Sequence, residues 1–117
     1  MDNYKELIVW KRSMELAVAA YDVTRKLPKT ERFALSDQIR RSAISVPSNI
    51  AEGYGRNSTK EYARFLSISR GSRYELETQL LLCVQLGYLN QQDIEKAIQL
   101  GEEVGKMLNV ILSKLRL

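Results

Sequence analysis

The stretch SVPSNIAEGYGR, residues 45–56, sets a proline, an Asn–Glu cluster and a Gly-Tyr-Gly-Arg tail behind a run with helical spacing. Two readings compete for it: a phosphate-binding or catalytic loop, or a helix that bends and then ends. Leu35, Ile39, Ala43, Val46 and Ile50 step by 4, 4, 3 and 4 straight across Pro47, so the proline lies inside a helix. It removes one backbone hydrogen bond and crowds the Ala43 carbonyl, which predicts a kink or a break into two shorter helices. Ser45, Ser48 and Asn49 can satisfy the freed backbone groups. Beyond Glu52, Gly53 and Gly55 offer the left-handed conformations that stop a helix. Gly53-Tyr54-Gly55 has too few glycines for a nucleotide fingerprint, no preceding strand and no Gly-Lys-Ser/Thr ending. Arg41, Ser45, Ser48 and Glu52 share one helix face, where an Arg–Glu pair reads as a structural ion pair. The stretch is structural punctuation.

The same periodicity extends in both directions. In the first helix Leu7, Trp10, Met14, Ala17 and Tyr21 step by 3, 4, 3 and 4, with Val9, Leu16, Ala20, Val23 and Leu27 widening the stripe. Pro28 ends it. The second helix opens near Lys29–Thr30, with Thr30 as N-cap. Ser58-Thr59-Lys60-Glu61 is a capping box that starts the third helix, whose stripe includes Tyr62, Phe65, Leu66, Leu76, Leu80, Cys83 and Leu86 and whose C-cap is Gly87. Asn90 caps the fourth, which carries Ile94, Ile98, Gly101, Gly105, Leu108, Leu112 and Leu115. Short connections make sequential helices antiparallel. The expectation is all-α: one domain over residues 1–117, an up-down-up-down four-helix bundle with a proline kink in helix 2.

Histidine is absent, which removes Ser-His-Asp and Cys-His chemistry, His-based metal sites and the Glu-x-x-His pairs of di-iron bundles. The lone cysteine, Cys83, cannot close an internal disulfide or build a thiolate zinc site, and among Leu80, Leu81, Leu82 and Val84 it reads as a buried, inert thiol. No metal or cofactor is expected. No run approaches a membrane span, and the N-terminus lacks the order of a signal peptide, so a cytoplasmic location is expected.

Net charge is +4, concentrated mid-chain: residues 1–24 sum to −1, residues 25–73 to +7 and residues 74–117 to −2. A basic concentration attracts polyanions, although a solvated face with local ion pairs has the same composition. The candidate contacts are Arg40, Arg41, Arg56, Lys60, Arg64, Arg70 and Arg73. Arg40 and Arg41 point about 100° apart, while Arg70 and Arg73 share a face, as do Lys60 and Arg64. Tyr54 and Tyr62 flank Arg56 and Lys60 and either stack on unpaired bases or pack at the rim of the core. Ser67, Ser69, Gly71 and Ser72 thin the middle of helix 3. Gly101 and Gly105 form a small-xxx-small pair for close packing, within the chain or against a second subunit.

QIRRSAISVPSNIAEGYGR followed by STKEYARFLSISRGSRYELETQLLLCVQLGYL resembles the four-helix-bundle family named for proteins encoded in intervening sequences of 23S ribosomal RNA genes, also labelled S23 ribosomal proteins. Its pattern Q-x-R-R-(A/S)-x-x-S-(I/V)-P-x-N-I-A-E-G is matched by Gln38, Arg40, Arg41, Ser42, Ser45, Val46, Pro47, Asn49, Ile50, Ala51, Glu52 and Gly53. Ser42 stands where many members have Ala. The resemblance implies a ring-shaped homo-oligomer, often a pentamer, with a basic surface and no established enzymatic activity. It also implies kinship with the accessory variability determinant of diversity-generating retroelements, which partners a reverse transcriptase and binds nucleic acid. The leading expectation is a non-enzymatic, oligomeric RNA- or DNA-binding or adaptor protein with sequence-tolerant binding. The rival is a structural or protein-interaction oligomer in which Arg41, Pro47, Asn49, Glu52 and Gly53 serve assembly. A metal-dependent nuclease using Glu52, Glu61 or Glu75 is the third reading.

Overall fold

The computed structural model describes residues 3–115. Four helices follow in order: α1 (Ile8–Thr24), α2 (Leu35–Tyr54), α3 (Thr59–Gln85) and α4 (Gln91–Lys114), with single 3-10 turns at Tyr4–Glu6 and Lys29–Glu31. No strand occurs among the described residues. α1 packs on α2 and α4, and α3 packs on the same two, closing a four-helix bundle 44 Å long and 22 Å wide. The 27 residues of α3 rise about 40 Å, so α3 spans nearly the whole length. Cross-helix pairs run in opposing order: Arg12 meets Glu103 and Lys26 meets Asp93, while Ser42 meets Gln79 and Ser45 meets Ser72.

Leu16, Ile39, Ile50, Leu66, Leu76, Leu80, Ile94 and Leu108 are fully buried at the centre. In α1 the core lies on the Val9, Leu16, Ala20 and Val23 side of the expected stripe. Val9, Ser13, Leu16, Ala20 and Val23 point inward, whereas Met14 is exposed and Trp10, Ala17 and Tyr21 lie at the edge. Ser13 hides this face from a hydropathy pattern. It is fully buried because its hydroxyl donates to the Trp10 carbonyl at 2.7 Å and so needs no water.

α2 starts later than expected. Thr30 is no cap: residues 29–31 form a 3-10 turn, and α2 begins at Leu35 behind Ala34, which has no capping oxygen. Glu31 substitutes, its carboxylate accepting the Leu35 N–H at 3.4 Å and the Tyr88 hydroxyl at 2.9 Å. Of the kink and the break expected at Pro47, the break does not occur, since α2 runs unbroken to Tyr54. Around the proline, Asn49 Nδ2 donates to the Ser45 carbonyl, and Ser69 of α3 donates to the Val46 carbonyl at 2.8 Å. Neither Gly53 nor Gly55 takes a left-handed conformation; Asn57 does, with φ 58°. Gly53 instead answers close packing, because a Cβ there would sit 2.6 Å from Phe65 Cβ.

Ser58 Oγ accepts the Glu61 N–H at 3.3 Å, but the reciprocal half of that box is missing because Glu61 turns to Arg64. α3 closes through Gly87 at φ 81°, the residue beyond the cap, with Tyr88 N–H on the Cys83 carbonyl and Gly87 N–H on that of Val84. The box at Asn90 and Asp93 is complete. No described helix is long and apolar enough to cross a membrane.

Candidate nucleic-acid interface

The seven basic candidates spread over the bundle and do not form one patch. Arg40 and Arg41 lie near the start of α2, whereas Arg56, Lys60 and Arg64 surround the α2–α3 turn, about 20 Å away along the helix axis. Arg70 lies on the α3–α4 flank, where its guanidinium donates to Asn109 Oδ1 at 3.0 Å.

Three of the seven are exposed but paired with carboxylates on their own helix or turn. Arg41 binds Asp37 at 2.9 Å, Arg56 binds Glu52 at 2.8 Å and Arg64 binds Glu61 at 3.1 Å. Arg41 and Glu52, expected to pair with each other, therefore have separate partners. The Arg64 hydrogen bond holds the Glu61 carboxyl below the usual carboxylate range. Arg56 and Arg64 also lie over the buried Phe65 ring, at 5.0 and 4.5 Å from its centroid. Much of the charge at this turn is already committed within the chain.

Arg73 leaves the set of polyanion contacts. It is only 9% exposed, its guanidinium donates to Glu77 at 3.1 Å, and its aliphatic stem crosses Gly101. A Cβ built on Gly105 would fall 2.8 Å from Arg73 Nε and 2.9 Å from Cζ. Gly101 and Gly105 thus form the groove that seats a buried arginine of the same chain. Arg70 and Arg73, three residues apart, both reach α4, but only Arg73 is buried there, seated against Gly101 and Gly105.

Three candidates have no carboxylate partner among the described residues: Arg40, Lys60 and Arg70. Lys29 and Arg32 share that property and belong with them. Arg40 donates through Nη2 to the Arg32 carbonyl at 3.2 Å, which ties the start of α2 to the preceding turn. Tyr54 and Tyr62 meet edge to face at 5.9 Å, and Tyr62 packs against the core, where burial and the neighbouring Tyr54 push its phenol up. That is the rim-of-core geometry. Phe33, which belongs to no motif or apolar stripe in the sequence, stands 86% exposed beside Arg32. Its signal was a lone phenylalanine between Arg32 and the start of α2, in a turn already basic.

No cluster of three or more acids and cysteines suited to a metal occurs among the described residues. Of the acids considered for a nuclease, Glu52 and Glu61 are held by arginines. Pro47 and Gly53 are buried, and Asn49 is half-buried and bound to Ser45, as suits residues that shape α2.

The model of the 23S rRNA-intervening sequence proteins matches residues 5–110. The chain belongs to the 23S rRNA-intervening sequence protein family. Among solved structures it is similar to a protein of unknown function from the S23 ribosomal protein family of Bacteroides thetaiotaomicron. The two are 27% identical with a TM-score of 0.82, over 90% of this chain and 98% of that one. Among curated proteins nothing matches. The intervening-sequence family thus accounts for nearly the whole bundle.

Proposed function

We propose that this intervening-sequence protein is a non-enzymatic, oligomeric adaptor that binds RNA or DNA through its carboxylate-free cations. One observation carries the reading: Lys29, Arg32, Arg40, Lys60 and Arg70 have no acidic partner among the described residues, although the chain's acids neutralise most neighbouring arginines. Fixed cations without counter-charges release condensed counterions when they meet phosphates. Binding is sequence-tolerant, since these residues offer charge without a base-reading motif. Assembly into a ring, a pentamer as the family resemblance implies, would multiply the +4 of each chain. Fluorescence anisotropy of a labelled single-stranded RNA over a salt series tests the reading. The logarithm of affinity should fall linearly with that of salt, with a slope of about −0.7 per phosphate contacted. No binding at about 50 mM salt would refute it.

A structural or protein-interaction oligomer is the second reading, favoured by an apolar groove of about 660 Å³ between α1 and α4. Leu7, Ile8, Met107, Val110 and Ile111 line it, with Lys106 and Lys114 at its edge. A second copy, or a partner such as a reverse-transcriptase-like protein, would cover this groove. Light scattering of wild type, Arg41→Ala and Ile8→Glu separates the readings. A lower mass together with unchanged RNA affinity would favour assembly alone as the role of these surfaces.

A further inference from the structure

We infer that the turn between α1 and α2 is a stacking site for an unpaired base of single-stranded nucleic acid, with Phe33 as the platform and Arg32, Arg40 and Lys29 as phosphate contacts. The inference rests on the proposed nucleic-acid reading and assigns it a place. Phe33 is the most exposed large apolar residue described, at 86%. A phenyl ring left in water forgoes the burial that normally rewards an aromatic side chain.

The turn on either side of it is anchored. Glu31 N–H bonds the Pro28 carbonyl, Arg32 N–H that of Lys29, and Ala34 N–H that of Glu31. Glu31 is fastened to Tyr88, and the Arg32 carbonyl to Arg40. A segment held this way presents its side chain with little left to order on binding.

The charges around the ring are sorted. Glu31 spends its carboxylate on Leu35 N–H and the Tyr88 hydroxyl, and Asp37 spends its own on Arg41. Among the described residues Arg32, Arg40 and Lys29 are left without a carboxylate, and the Arg32 guanidinium lies over the Phe33 ring, 5.2 Å from its centroid. An exposed ring among cations that lack a carboxylate, with Arg32 laid over one of its faces, matches the pairing of base and phosphate in a flexible strand. A duplex hides its base faces and offers such a ring nothing to stack on.

The test compares wild type, Phe33→Ala and Phe33→Trp in binding a mixed-sequence single-stranded RNA and the matching duplex. Phe33→Ala should weaken single-strand binding roughly 5- to 150-fold, the range expected for one base–aromatic stack. Its salt slope should be unchanged, since no charge is lost, and duplex affinity should move less than about twofold. Phe33→Trp should keep single-strand affinity, with intrinsic fluorescence quenched on binding. Circular dichroism confirms that the surface variants fold. Equal single-strand affinity in wild type and Phe33→Ala would overturn the stacking site while leaving general polyanion binding intact. The same result with a lowered oligomer mass would overturn it too and make the ring a protein contact. Failure of wild type to bind either nucleic acid would overturn the parent reading instead.

Discussion

Replacing Gly105 by alanine isolates the buried arginine from every other contribution to the bundle. The new methyl would meet the Arg73 guanidinium at 2.8 Å from Nε and 2.9 Å from Cζ, so the guanidinium must leave its seat. Leaving forfeits the hydrogen bond to Glu77, a charge-assisted contact in a half-buried setting that is worth about 1.5–3 kcal/mol. Alanine's better helix propensity returns about 0.8–1 kcal/mol, which leaves a net loss of about 0.5–2 kcal/mol. Two sister substitutions calibrate this. At Gly71 nothing lies within 4 Å of an added Cβ, so Gly71→Ala should stabilise by about 0.8–1 kcal/mol. At Gly101 the nearest atom is Arg73 Cδ at 3.6 Å, an ordinary contact, so Gly101→Ala should be close to neutral or mildly stabilising. Urea unfolding followed by circular dichroism measures all three, and repeating Gly105→Ala in an Arg73→Ala background closes a double-mutant cycle. In that background the clash is gone and the substitution should become stabilising. A Gly105→Ala protein as stable as wild type, or equally destabilised with and without Arg73, would refute the groove as the seat of the arginine.

Other consequences follow from single contacts. Gly53→Ala should cost about 1–3 kcal/mol by the same urea assay, because its methyl would press on Phe65 Cβ at 2.6 Å and force α2 from α3, whereas Gly55→Ala should be tolerated. Asn90→Ala should cost about 0.5–2 kcal/mol by removing the acceptor for Asp93 N–H. The Asp93 carboxyl is held below its ordinary value by the Asn90 N–H and by Lys26. A carboxyl depressed in the folded state adds stability above its unfolded value and loses it as pH falls through the folded one, so Asp93→Asn should flatten the acid limb of urea midpoints against pH. Burial pushes the Cys83 thiol up, so its reaction with a thiol reagent should follow global unfolding and stay slow in native conditions.

Four helices, their order and most of the core were legible because apolar spacing and cap residues report directly on local geometry. Ser58, Asn90 and Gly87 lie at the helix ends their chemistry suggests. Misreadings arose where a partner distant in sequence decides the outcome. Thr30 looks like a cap, but Glu31, braced by Tyr88 from 57 residues away, closes the first turn of α2. Arg73 reads as one more surface cation because nothing local says that two glycines on α4 have made room for it. The interface was legible as a charge excess but not as a map, since ion pairing is set by neighbours in space. Phe33 escaped notice because exposure of a lone aromatic is a property of the folded turn and not of its composition.

If cations without carboxylates, and not basic residues in general, meet the phosphates, two double variants should differ in the salt dependence of their affinity for single-stranded RNA. Arg32→Gln with Arg40→Gln removes two unneutralised charges, while Arg56→Gln with Arg64→Gln removes two that Glu52 and Glu61 already hold. The first pair should lower the slope by about 1.4, at about 0.7 per phosphate contact, and the second should leave it nearly unchanged. A slope untouched by the first pair and reduced by the second would contradict it.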